Sequence, residues 1–212
     1  FGHTWSDKQE IQEQGYKAIH IKTDSIKIPD ATPEIIQFVI DFGKKYGYNF
    51  EHEETYSKIC LVNDAVYIAK TKKGEWTATG AQFAQPYVFK TLFSHEPISF
   101  EDMFETKTVT SALYLDMNEH LGEDEHDYHF IGKAGAFCPI LEGKGGGLLC
   151  REKDGKYYSA TGAKGYRWLE AEIVKELGRE NDIDRSYYNA LADAAVEDIS
   201  KCAGHDQGET DD

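Results

Sequence analysis

One helix with clear start and stop signals lies between runs too short and too β-branched to be helical. That order restricts roughly the first ninety residues to an α+β arrangement. Thr32-Pro33-Glu34 opens the helix. Thr32 offers a capping hydroxyl, Pro33 suits the first turn, and Glu34 sits at the positive end of the dipole. Ile35, Ile36, Val39, Ile40 and Phe42 form its apolar stripe, and Lys44, Lys45 and Gly47 close it. Before it, Lys17 to Ile21 and Ile26 to Ile28 read as two strands joined by the acidic turn Lys22-Thr23-Asp24-Ser25. After it, Tyr48 to Glu53, Ile59 to Val62, Ala65 to Ala69 and Glu75 to Thr79 read as strands. Asn63-Asp64 and Lys72-Lys73-Gly74 separate them as turns.

The second half predicts a smaller mixed region of helices and hairpins. Pro86 to Phe93 reads as a short helix or link, and Phe100 to Phe104 as helical. An acidic loop from Glu119 to Asp127 precedes extended segments at Tyr128 to Ile131 and Ala136 to Ile140. Gly143 to Gly147 reads as a flexible turn. It lacks the Gly-Lys-Ser/Thr ending of a phosphate loop. Leu148 to Arg151 and Tyr157 to Ala160 read as a hairpin, and Tyr166 to Leu177 and Asp184 to Ala203 as helices. The segment from Gly74 to Ala81 echoes that from Gly155 to Ala163. Two copies do not make a repeat protein, and shared turn chemistry accounts for the echo.

Composition narrows the function classes. The chain of 212 residues has 40% hydrophobic residues and 13% aromatics, which suits a folded protein rather than a disordered one. No run is long enough for a membrane span, and no membrane partner is expected. The chain opens on Phe1, and its first residues read as the middle of a longer protein. Cys60, Cys138, Cys150 and Cys202 are widely spaced, which argues against a zinc finger or a disulfide framework and for reduced thiols in a cytoplasmic protein. The net charge of -15 disfavours a broad nucleic-acid coat but permits a narrow basic groove on an acidic body.

The residues His20-Ile21-Lys22-Thr23-Asp24-Ser25-Ile26-Lys27-Ile28-Pro29 resemble motif C of the family B DNA polymerases of bacteriophages, a Tyr-x-Asp-Thr-Asp-Ser hairpin. After a helix and a strand, Val62-Asn63-Asp64-Ala65-Val66-Tyr67-Ile68-Ala69-Lys70 resembles the family's primer-tracking hairpin with its Lys-x-Arg-Tyr-type motif. Trp76 to Phe83 is similar to the strand and turn that lead into the thumb. There are departures. Lys22 replaces the first motif Asp, and Asp64 and Val66 stand where the primer hairpin has Lys and Arg.

The resemblance implies residues 1–94 as the carboxy-terminal part of a palm and 95–212 as a thumb-like region. It implies a DNA-directed DNA polymerase, a nucleotidyltransferase of DNA replication working in the bacterial host cytoplasm. Asp24 would be the catalytic metal ligand, with Thr23 and Ser25 supporting the turn. Two Mg2+ ions about 3.5–4 Å apart would be completed by a carboxylate upstream of this chain. Primer–template DNA, deoxynucleoside triphosphates and the remainder of the polymerase chain would be its partners, and the isolated chain would not polymerise. Tyr67, Lys70, Lys72, Lys164 and Arg167 are candidate DNA contacts, the last two at a predicted helix start.

Two other readings exist. A noncatalytic α+β binding module could carry a turn that only looks like motif C. His120, His126 and His129 with Glu119, Glu123, Glu125 and Asp127 have the chemistry of a metal site, but their spacing fits a solvated acidic loop better.

Overall fold

The computed structural model describes residues 9–203, apart from 23, 24, 64 and 123. The fold is α+β, with antiparallel sheets throughout. The chain forms two compact units, Phe1–Ala81 with Asp198–Asp212, and Gln82–Glu197. Tyr87 belongs to the core of the second unit.

The first unit keeps the predicted hairpin, helix and last three strands, with an added helix before them and one predicted strand missing. A short helix α1 (residues 9–13) precedes β1 (His20–Lys22) and β2 (Ser25–Lys27), which pair antiparallel with Lys22 opposite Ser25. Helix α2 (Pro33–Lys45) follows. Its Thr32 Oγ1 accepts from the Ile35 amide and shares a 3.0 Å hydrogen bond with the Tyr16 hydroxyl. Ile11, Ile26, Phe38, Val39, Phe42 and Phe50 line a small apolar cavity, so α1, β2 and α2 share one core.

Strands β3 (Tyr56–Asn63), β4 (Val66–Thr71) and β5 (Trp76–Thr79) form a separate three-stranded sheet. The predicted strand at Tyr48 to Glu53 is absent: residues 48–53 carry no ladder. Its alternating pattern instead serves one contact, Phe50 against α2. A Cβ on Gly43 would lie 2.2 Å from the Phe50 ring.

The second unit combines a five-stranded sheet with short helices. It begins with α3 (Ala81–Ala84), whose first residue belongs to the first unit, α4 (Pro86–Phe89) and a wide helical turn, Lys90–Ser94. Then β6 (Glu105–Asp116) and β7 (Tyr128–Ile140) form a long ribbon. With β8 (Leu148–Lys153), β9 (Lys156–Ser159) and β10 (Arg167–Glu170) they make a five-stranded sheet in the order β10-β7-β6-β8-β9. The apolar spacing of residues 166–177 predicts one helix. In fact β10 occupies its start and only α5 (Ala171–Glu176) is helical. The apolar spacing of Leu169, Ile173 and Leu177 imitates a helix face, but Trp168 pairs opposite Pro139 and Leu169 opposite Cys138. Tertiary pairing overrides local pattern here. Helix α6 (Arg185–Ala203) ends the described chain.

Leu113, Leu115, Leu149, Phe137 and Trp168 form the core of this unit with Val174, Tyr187 and Tyr188 from the helices. The Gly143–Gly147 segment is a packing device at its end rather than a loose turn. Gly147 and Trp168 exchange two backbone hydrogen bonds of 2.7 Å. A Cβ at Gly147 would sit 2.6 Å from the Met117 sulfur.

Asp102, 5% exposed, anchors the start of this unit. Its Oδ2 accepts from Lys90 Nζ at 2.8 Å and from the Ser99 amide and hydroxyl at 2.7 and 3.0 Å. Burial alone would raise the Asp102 carboxyl, but the Lys90 and Ser99 donors outweigh it and hold it below the ordinary range. A depressed carboxyl stabilises the fold above its unfolded value, near pH 3.9, and loses that contribution as pH falls through its folded value. Asp102→Asn is therefore expected to cost about 1–3 kcal/mol at neutral pH. In urea titrations across pH, the variant and the parent should converge below about pH 4. A difference that stays constant into strong acid would contradict this assignment.

Candidate nucleic-acid interface

Asp24 and Thr23, the centre of the predicted site, lie outside the described residues. The strands on either side of them do pair, and Ser25 is half-buried at the start of β2. Two strands on, Lys27 Nζ of β2 lies 4.4 Å from the centre of the Tyr67 ring of β4. This contact brings the two segments that resemble polymerase motifs next to each other. Tyr67 is half-buried and stands opposite Leu61 and Thr79. Burial, and then the neighbouring Tyr67, raise the Tyr56 hydroxyl above its usual value. Lys70 extends over Trp76, with its ammonium Nζ above the ring, 5.3 Å from its centre. Lys72 is exposed and its amide donates to the Thr55 carbonyl at 3.1 Å.

The second unit holds Lys164 and Arg167. Lys164 is exposed in a turn. Arg167 does not begin a helix: it is the first residue of β10, opposite Ile140, and its Nη1 donates to Asn118 Oδ1 at 3.3 Å. The expected help from free helix amides is therefore missing at Arg167.

The hairpin β8–β9 supplies residues that sequence reading passed over. Its ladder runs to Lys153 opposite Lys156, and Asp154 and Gly155 form the turn, with φ of 53° and 73°. Positive φ at both positions is the type I′ geometry that matches strand twist. Arg151 stands opposite Tyr158 and Lys153 opposite Lys156. Alternation along strands puts these four on one face. All four are exposed, and none of the three cations has an ion pair among the described residues. Lysines directly opposite each other repel, and an anion between them removes the cost. The detectable signal was the Asp-Gly pair, which fixes the register and so the shared face.

In the histidine loop Glu123 lies outside the described residues, and two of the histidines pair with aspartates. His126 Nδ1 meets Asp116 Oδ2 at 2.8 Å, and His129 Nε2 meets Asp127 Oδ2 at 3.2 Å. Glu119 is engaged elsewhere, accepting from the Gly143 amide at 2.7 Å. No group of three or more possible ligands exists among the described residues. The loop is organised by Asp116, 2% exposed, whose Oδ1 also accepts the Asp127 amide at 2.9 Å. Its only sequence signal was a carboxylate directly following the apolar run from Ala112 to Leu115.

Cys138 and Cys150 are free thiols, and burial pushes Cys138 up to about 12. Among the described residues no helix is long and apolar enough to cross a membrane. No protein-family model, curated protein or solved structure matches this chain.

Proposed function

We propose that this chain is the carboxy-terminal palm and thumb portion of a phage-type family B DNA polymerase. The observation that carries the reading is the 4.4 Å approach of Lys27 to Tyr67, which sets the motif C-like hairpin against the primer-hairpin-like strand. The agreement of hairpin, helix and three-stranded sheet with the expected element order adds support. Asp24 would bind Mg2+ together with an upstream carboxylate, and the pair would orient a primer 3′-hydroxyl and an incoming deoxynucleoside triphosphate. Tyr67, Lys70 and Lys72 would follow the primer strand. In the second unit, Lys164 and the Arg151, Lys153 and Lys156 face would meet phosphates.

Binding of primer–template DNA by the full chain, followed by fluorescence anisotropy at several salt concentrations, tests this. Each phosphate contact contributes about 0.9 to the slope of log affinity against log salt. The triple variant Arg151→Ala, Lys153→Ala, Lys156→Ala should bind about tenfold or more weakly and lose about 2–3 units of slope. Affinity that is flat with salt, or equal in the triple variant, would leave the noncatalytic binding module as the better reading. That rival draws on Asp64 and Val66, which stand where the primer hairpin has basic residues.

A further inference from the structure

The sheet face opposite the core carries a group of rings that the polymerase reading does not use. Tyr114 of β6 is opposite Phe130 of β7, and Asp116 is opposite Tyr128. On the other side, Tyr114 is opposite Cys150 of β8 and Ala112 is opposite Glu152, which in turn faces Tyr157 of β9. Alternation thus assigns Tyr114, Tyr128, Phe130 and Tyr157 to one face. The rings are in contact. Tyr114 meets Phe130 at 5.5 Å and Tyr157 at 5.1 Å, both edge to face. Tyr128 stacks on Tyr157 at 3.7 Å, although β6 and β8 lie between their strands. His126 extends the stack, 5.1 Å from Tyr128.

Phe130 is 68% exposed and Tyr157 37%, an unusual display for large apolar rings. The surroundings are acidic. Glu152 lies on the same face, and exposed Asp124 and Glu125 and half-buried Asp127 lie in the loop that carries His126. On that face the strand segments 112–116, 128–130, 148–152 and 157–159 contain no lysine or arginine.

Ring faces are electron-rich, and carboxylates at their edge add negative potential. Such a face repels phosphate and attracts a flat cation. We infer that this face docks a basic segment of a protein partner, laying an arginine guanidinium on the rings between Phe130 and Tyr157 while the loop carboxylates pair with neighbouring cations. Arginine suits the site better than lysine because its planar, weakly hydrated head stacks on aromatic rings. A nucleic-acid occupant would need cations on this face, and in these segments the one cation, Arg151, is on the other face. The inference does not depend on the polymerase reading.

The test uses the full chain and three fluorescein-labelled probes: nona-arginine, nona-lysine and a twenty-nucleotide oligothymidine. Nona-arginine should bind at physiological salt, several-fold more tightly than nona-lysine. Phe130→Ala with Tyr157→Ala should weaken it about tenfold or more, and Asp124→Lys with Glu125→Lys should weaken it independently. Circular dichroism should show both variants folded, since the changed side chains are exposed. Oligothymidine should not displace the peptide. Undiminished arginine binding in the ring variant would overturn the inference and reduce the effect to general acidity. Displacement by oligothymidine, or self-association lost in the ring variant, would also overturn it, in favour of single-stranded DNA or a second copy.

Discussion

Trp168→Ala should lower the unfolding free energy by about 3–5 kcal/mol, the range for deleting a large buried ring. Trp168 is fully buried in the second unit. It packs edge to face on Tyr187 at 5.1 Å and on Tyr166 at 6.4 Å. Its Nε1 donates to the Ala163 carbonyl at 3.0 Å, which ties the turn before β10 to the core. The substitution therefore empties a ring-sized volume and leaves that carbonyl without its partner. Collapse cannot fill the gap cheaply, because Gly146 already presses against Arg167 and Trp168 and Gly147 is hydrogen-bonded to Trp168. Urea unfolding followed by circular dichroism measures the loss, with Leu177→Ala as comparison. Leu177 is 64% exposed, so its truncation should stay within about 0.5 kcal/mol. A loss below about 1 kcal/mol for Trp168→Ala would contradict the assigned core.

Asp116→Ala should be the next largest, at about 2–3 kcal/mol. The carboxylate accepts His126 Nδ1 and the Asp127 amide, while Met117 donates its amide to the Asp127 carbonyl at 2.9 Å. Removing it frees the closing end of the loop and leaves the half-buried Asp127 amide unpartnered. Amide hydrogen exchange offers a local readout: the Asp127 and Met117 amides should exchange much faster, while those of β10 change little. Unchanged exchange at Asp127 would show that the loop is held by other contacts. Asp116→Asn should recover part of the loss, because its amide oxygen can still accept from Asp127.

The first unit was the more legible half because its signals are local. Thr32, Pro33 and Gly47 punctuate α2, and Lys72-Lys73-Gly74 separates β4 from β5 without help from distant residues. Tyr48 to Glu53 failed for a different reason: alternation there has no partner strand, only Phe50 filling the space left by Gly43. In the second unit the strands depend on partners far along the chain. Charged and hydroxyl residues in β6, such as Glu105, Lys107 and Thr108, conceal its continuity with Tyr114. Residues 166–177 have helical spacing that the pairing of Trp168 with Pro139 overrules.

Of the candidate site, the pairing of β1 with β2 was readable. Asp116 was not, since burial of a carboxylate depends on what folds over it. The shared face of Arg151, Lys153 and Lys156 required a register, which pattern alone does not supply.

The turn at Asp154 and Gly155 has a consequence for partner choice. Because side chains alternate with a period of two, register decides which residues share a side. With a two-residue connection, the hairpin shows Arg151, Lys153 and Lys156 on one side and Glu152 and Tyr157 on the other. A one-residue slip of β9 against β8 would bring Lys156 and Tyr158 across to the side of Glu152 and leave Tyr157 beside the basic residues, with composition unchanged. The segregation of cationic from ring-bearing surface is thus encoded in the length of a loop. Insertions at this tip are a route by which related chains could exchange one kind of partner for another without altering a single contact residue.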